Sequence, residues 1–285
     1  MDRRPLISRR PARCKSGLAT ARLGLALSIL AGVTGCQDEA PVVLPETRAR
    51  LAELSADTPP GPAAATASLV PIVVEDPPLP VETRDGWIRG RPVPAEGRSS
   101  ADFHARIVAE ELARYPAPLL KRIGLKEFVL CETLSLGGTD CYAYSDVEHG
   151  RIYLSVRAGY DGPYVRRVVH HETFHHADFA DDGRIDSDPR WELLNPPGFR
   201  YTDDVERAQA DPDLTRPDDR LPGFLNRYSM SSPAEDKAEL FASLIVERDR
   251  VRRRASGDGV IRRKVERLKE TFDRLGPYGR AVIEP

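Results

Sequence analysis

The run Val168-Val169-His170-His171-Glu172-Thr173-Phe174-His175-His176 constrains this chain more than any other stretch. His171 and His175 stand four apart, with Glu172 directly after the first. On an α-helix, residues four apart lie on one face, one above the other. Two imidazoles so placed can address one ion, and Zn2+ takes imidazole nitrogen in a compact tetrahedral shell. Glu172 then projects beside the ion, within reach of a proton on a bound water. The neighbouring residues predict the helix this requires. Gly162-Pro163 marks a start, since proline is tolerated in a first helical turn. Tyr164, Val165, Val168, Val169 and Phe179 form an apolar stripe at helical spacing. His170 and His176 point away from the His171/His175 face and are expected behind the ligands or on the surface.

Two histidines leave a catalytic zinc site incomplete, because it takes a third protein ligand and keeps a fourth position for water. Asp181 is one candidate, provided the chain turns sharply at Asp178, where such a layout usually has glycine. Glu235 is the stronger one. Ser231 to Ala242 predicts a second helix, capped by Ser232 with Pro233 at its first position. Leu240, Phe241, Leu244 and Ile245 supply its buried side. Glu235 and Glu239 share a face, so one carboxylate can bind the ion while the other holds a histidine N–H. Ser232-Pro233-Ala234-Glu235 also fits a capping box, in which Glu235 reaches back to its own helix start. Tyr228, just upstream, either donates its hydroxyl to an oxyanion or packs at a loop.

The pattern of H-E-x-x-H followed by a helix carrying E-x-x-x-E resembles the gluzincin peptidases. It is more closely similar to zinc metallopeptidases among bacterial lipoproteins, which show HHE-x-F-H and then Y-x-x-S-S/N-P-x-E-D-x-A-E. This chain has His170-His171-Glu172-Thr173-Phe174-His175, then Tyr228-Ser229-Met230-Ser231-Ser232-Pro233-Ala234-Glu235-Asp236-Lys237-Ala238-Glu239. The likeness spans about residues 150–246. It implies an α+β, zincin-like fold, with a small sheet above the H-E-x-x-H helix. It implies Glu235 as the third Zn2+ ligand beside His171 and His175, with Glu239 behind it, but does not imply the substrates. The function expected from the motif chemistry is a zinc metallopeptidase acting on a peptide or protein substrate, with Glu172 as base. By analogy with zincins, the strand Arg151–Val156 is expected at the sheet edge, where an extended peptide can pair with it. Two other readings stay open. One is a tethered binding lipoprotein with a structural or vestigial zinc site, and the other a zinc amidase acting on cell-wall crosslinks.

The N-terminus predicts export. Residues 1–22 are basic, Leu23 to Gly32 is an apolar run too short to span a bilayer, and small residues follow. Residues 1–35 read as a signal peptide. Val33-Thr34-Gly35-Cys36 resembles a bacterial lipobox, which implies a lipid on Cys36 and a membrane anchor at the cell envelope. Gln37, rather than aspartate, favours the outer membrane where there is one. Of 42 Lys+Arg and 44 Asp+Glu, seven basic residues and one acidic residue precede Cys36, so the remainder carries 35 against 43, a net of −8. That balance offers no electrostatic footprint for nucleic acid.

Residues 36–98 are rich in proline and alanine and read as a disordered tether, in which Val70–Val74 could form a short strand; residues 99–285 read as the catalytic domain. Cys131 and Cys141 are the cysteines left after the signal and anchor, and export favours a disulfide between them. A long polar stretch, Asp178 to Gly223, is expected to wall the cleft, and Val260 to Leu275 to form a terminal amphipathic helix.

Overall fold

A computed structural model describes residues 70–284, apart from 75, 76, 78, 158, 159, 186 and 203–211. The signal segment, Cys36 and the first part of the tether lie outside the described residues. Regular structure begins well before residue 99. Strands β1 (Ile72–Val73), β2 (Val81–Thr83) and β3 (Gly86–Arg91) all fall in the stretch the sequence assigns to a tether. The hairpin β2–β3 pairs Val81 with Ile88 and closes through Gly86 at φ 125°, a conformation that glycine adopts without steric cost. β1 pairs in parallel with β4 (Glu127–Cys131), far along the chain. β1 and β2, of two and three residues beside prolines, leave no period-two pattern to read.

The remaining strands are β5 (Thr133–Leu136), β6 (Thr139–Asp140), β7 (Ala143–Asp146) and β8 (Arg151–Ser155). They complete two four-stranded sheets, ordered β1-β4-β8-β7 and β2-β3-β5-β6. This order corrects one expectation: β8 is interior, paired in parallel with β4 and antiparallel with β7. The edge belongs to β7. The tight turn at Gly150 folds β7 back onto β8 and so covers the side of β8 that would otherwise be open.

Ile88, Val129, Leu134, Tyr144 and Tyr153 fill a small core that also takes in Cys131, with Cys141 packed against it. The expected disulfide is not formed, and both residues are free thiols. Cys131 donates to the Leu154 carbonyl at 3.7 Å, and burial pushes both thiols up to about 12. The pair serves as small apolar filling.

Helices α1 (Arg98–Leu112) and α2 (Ala117–Arg122) precede β4. Helix α3 (Gly162–Asp182) carries the histidine motif. The Asp161 carboxylate accepts from the Tyr164 N–H at its start, and Gly183, at φ 75°, ends it. A short α4 (Pro189–Glu192) follows, then α5 (Pro233–Val246), α6 (Arg248–Gly257), α7 (Gly259–Arg274) and α8 (Arg280–Ile283). The described chain is thus a mixed structure of helices and small sheets, as the α+β class requires. None of its helices is long and apolar enough to cross a membrane.

Helices α3 and α5 are held face to face by side chains from both. Phe174 lies 5.2 Å from Phe241 between ring centroids, and Phe241 stacks on Phe272 of α7 at 4.9 Å. All three rings are buried, and truncating one such ring typically costs about 3–5 kcal/mol. A buried ion pair, Lys237 Nζ to Asp178 Oδ2 at 2.6 Å, crosses the same interface. The segment between the two helices is tied to α5 at Asp236, whose Oδ2 accepts from Trp191 Nε1 (2.8 Å), the Tyr201 hydroxyl (2.6 Å) and Lys264 Nζ (2.6 Å).

Candidate metal centre

Helical spacing places His171 and His175 on one face of α3, and the α3–α5 packing brings Glu235 to them. His171 Nε2 and His175 Nε2 are 3.2 Å apart. Glu235 Oε2 lies 2.9 Å from His171 Nε2, and its Oε1 lies 3.9 Å from His175 Nε2. All three side chains are buried, and their ligand atoms fall within 4.8 Å of one another. The donor set fits zinc. Ligands about 2.0–2.1 Å from a tetrahedral ion stand about 3.3 Å apart, close to the 3.2 Å between the two imidazole nitrogens, while different oxygens of Glu235 approach the two histidines.

The two ends of His171 have different partners. Its Nδ1 is 3.0 Å from Glu239 Oε1, which fixes the ring and leaves Nε2 facing Glu235 and His175. The other Glu239 oxygen accepts from Asn226 Nδ2 and pairs with Arg167 Nη1 at 3.3 Å. Burial pushes the Glu239 carboxyl up, but Arg167, His171 and Asn226 together hold it down at about 2. Burial likewise pulls His171 down, yet the carboxylates of Glu235 and Glu239 raise it well above its ordinary range. That field favours positive charge at Nε2, and a metal cation answers it as well as a proton does. His175 is lowered to about 4 by burial first, which keeps its imidazole a neutral lone-pair donor.

Glu172 does not join the ligand set. Burial raises its carboxyl to about 7, against the opposing pull of His171 and the Ser145 hydroxyl. A group near 7 can take up and release a proton under ordinary conditions. With His171, Glu172 borders a cleft whose wall includes Tyr142, Ala143, Tyr164, Val168 and Tyr228. Tyr228 is buried in that wall, with its ring centroid 6.0 Å from His171, and its hydroxyl is hydrogen-bonded to Glu235.

Helix α3 does not make the sharp turn that the rival ligand, Asp181, would need. The helix passes through position 178 without turning, and Asp178 is spent on Lys237. Asp181 is instead bound by Arg274 of α7, with Nε 2.7 Å from Oδ1. The capping reading of Glu235 is half right. Its backbone N–H donates to Ser232 Oγ at 3.2 Å, while its carboxylate goes to the histidines. His170 and His176 are not surface residues. His170 is fully buried between the Tyr115 hydroxyl (2.6 Å) and Glu111 Oε2 (2.8 Å), and His176 Nε2 meets the Arg151 carbonyl at 3.2 Å.

Four contributors escape the sequence reading: Ser145, Arg167, Asn226 and Asp236. Arg167 alone carried a signal, since it lies four residues before His171 and so on the same face of the helix. No protein family, curated protein or solved structure was found to match the chain.

Proposed function

We propose that this protein is a zinc-dependent hydrolase of peptide bonds, with His171, His175 and Glu235 as ligands and Glu172 as general base. One observation carries the reading. Three buried donors, His171, His175 and Glu235, lie close enough together to share one ion, His171 also borders a cleft, and the carboxylate next to it in sequence is raised to about 7. Zinc, when bound there, supplies Lewis acidity that makes water a nucleophile at neutral pH and polarises a carbonyl.

The remaining work falls to the chain's own groups. Glu239 keeps the proton of His171 on Nδ1, so that Nε2 presents its lone pair. Glu172 takes the proton of the attacking water and hands it to the departing amine nitrogen, ending unprotonated as it began. Tyr228 holds Glu235 from the cleft side, and its ring narrows the approach to His171. The aromatic side of the cleft, with Tyr228 buried and Tyr142 and Tyr164 half-buried, limits the approach of bulk water to the reacting atoms.

The test compares zinc content after dialysis with turnover of an unfolded protein substrate. Glu172→Gln should keep zinc and lose turnover. Glu235→Ala should lose zinc, and Asp181→Ala should change neither. Zinc retained in Glu235→Ala, or full turnover in Glu172→Gln, would overturn the assignment. The cell-envelope setting rests on the sequence, with lipid on Cys36 as the anchor. Cys36→Ala should leave the protein unprocessed or soluble, and a correctly cleaved, membrane-bound variant would remove the anchor from the reading.

A further inference from the structure

We infer that Ser145 is the positioning residue of Glu172, holding Oε2 so that Oε1 is the oxygen left to receive the proton. The inference rests on the hydrolase reading above. Ser145 sits on the edge strand β7, opposite Ile152. Its Oγ lies 2.7 Å from Glu172 Oε2 and 2.8 Å from the main-chain oxygen of the same residue. A hydroxyl has one proton, so it donates to one of these at a time. The main-chain oxygen belongs to the interior of α3, where the helical i+4 bond already serves it. The carboxylate is also the stronger acceptor, since hydrogen bonds to an ionised group are roughly twice as strong as neutral ones. Donation therefore goes to Oε2.

This contact survives the reaction. When Oε1 accepts the proton of the attacking water, Oε2 becomes the carbonyl oxygen of the neutral acid and still accepts from Ser145. The proton then leaves Oε1 for the amine nitrogen. The Ser145 proton stays where it is throughout, and no group changes charge except Glu172 and the reacting atoms. A base fixed at one oxygen keeps the other aimed, and misplacement of a catalytic group by about 1 Å can cost roughly 100-fold in rate.

The experiment uses the zinc-loaded full chain. Ser145→Ala should keep the zinc stoichiometry and KM of the parent while kcat falls roughly 10- to 100-fold. Ser145→Thr, which keeps the hydroxyl, should stay within about threefold. In a Glu172→Gln background, Ser145→Ala should remove nothing further, because the group it positions is already gone. A crystal structure of zinc-loaded Ser145→Ala should show the Glu172 carboxylate off its parent rotamer. Parental kcat in Ser145→Ala, or the same further loss in the Glu172→Gln background, would overturn the inference. Should the parent turn over nothing, the hydrolase reading falls by itself. The crystallographic arm still decides the positioning, since a Glu172 carboxylate unmoved in Ser145→Ala refutes it.

Discussion

Replacing Lys237 by methionine tests how α3 and α5 are held at the spacing the proposed metal ligands need. Lys237 follows Glu235 by two residues, and Asp178 follows His175 by three, so their ion pair sits just behind the ligands. Both side chains are nearly inaccessible, at 5% and 7% exposure, so solvent screens the pair little. Methionine keeps most of the stem volume but leaves Asp178 buried without its cation. Breaking a buried pair from one side typically costs about 3–5 kcal/mol. For a domain of this size, about 2–4 °C of Tm is lost per kcal/mol, so the melting point should fall by roughly 6–20 °C.

The cost should depend on pH. Asp178 is already raised to about 6, by burial first and against the pull of Lys237, and losing Lys237 raises it further. A carboxyl with a raised folded-state value binds its proton in the folded chain before it does in the unfolded one. Stability therefore falls as pH rises through that window, and the variant's deficit should be smallest near pH 4 and largest above 7. The double variant Lys237→Met/Asp178→Leu should recover most of the loss, because apolar residues can replace a buried pair. Thermal and denaturant unfolding of the four-membered cycle measures the coupling. A loss under 1 kcal/mol in Lys237→Met at pH 8, or no coupling in the cycle, would refute the reasoning.

Two further expectations concern neighbouring groups. Glu239→Gln leaves the site's ligands in place but removes the charge facing His171 and Arg167, and zinc affinity should fall by roughly 10- to 100-fold in a competition titration. An unchanged affinity would detach Glu239 from the metal centre. Cys131 and Cys141 should both alkylate in protein unfolded without reductant, and resist alkylation while folded, as mapped by mass spectrometry. Recovery of the two as one crosslinked pair would contradict the free thiols.

The parts of the site that lie on single helices were legible in the sequence. His171, Glu172 and His175 follow from helical spacing, and the start of α5 follows from Ser232-Pro233. What escaped was set by contacts between distant stretches. The pairing of β8 with both β4 and β7 moved the sheet edge from the expected strand Arg151–Val156 to Ala143–Asp146, and no local pattern records such pairing. Ser145 reads as an ordinary strand residue until that edge is laid over α3. Asp236 reads as a solvated charge in a helix's first turn until Trp191, Tyr201 and Lys264 converge on it. The turn that Asp181 would need is absent because Gly183, rather than Asp178, ends α3.

The double use of Glu235 makes the first turn of α5 a phase reference. The main-chain N–H of this residue is fastened to Ser232 while its carboxylate is fastened to the histidines. Each residue advances an α-helix by about 100°, so a single insertion between Ser232 and Glu235 would swing the carboxylate out of the centre. Glu239 lies one turn on and would swing with it, so one slip would detach both acids from His171. An insertion upstream of Tyr228 carries no such rotation, because the cap would reset the helix at Ser232. Tolerance to changes in chain length should therefore alter abruptly between Tyr228 and Ser232, over scarcely one turn of chain.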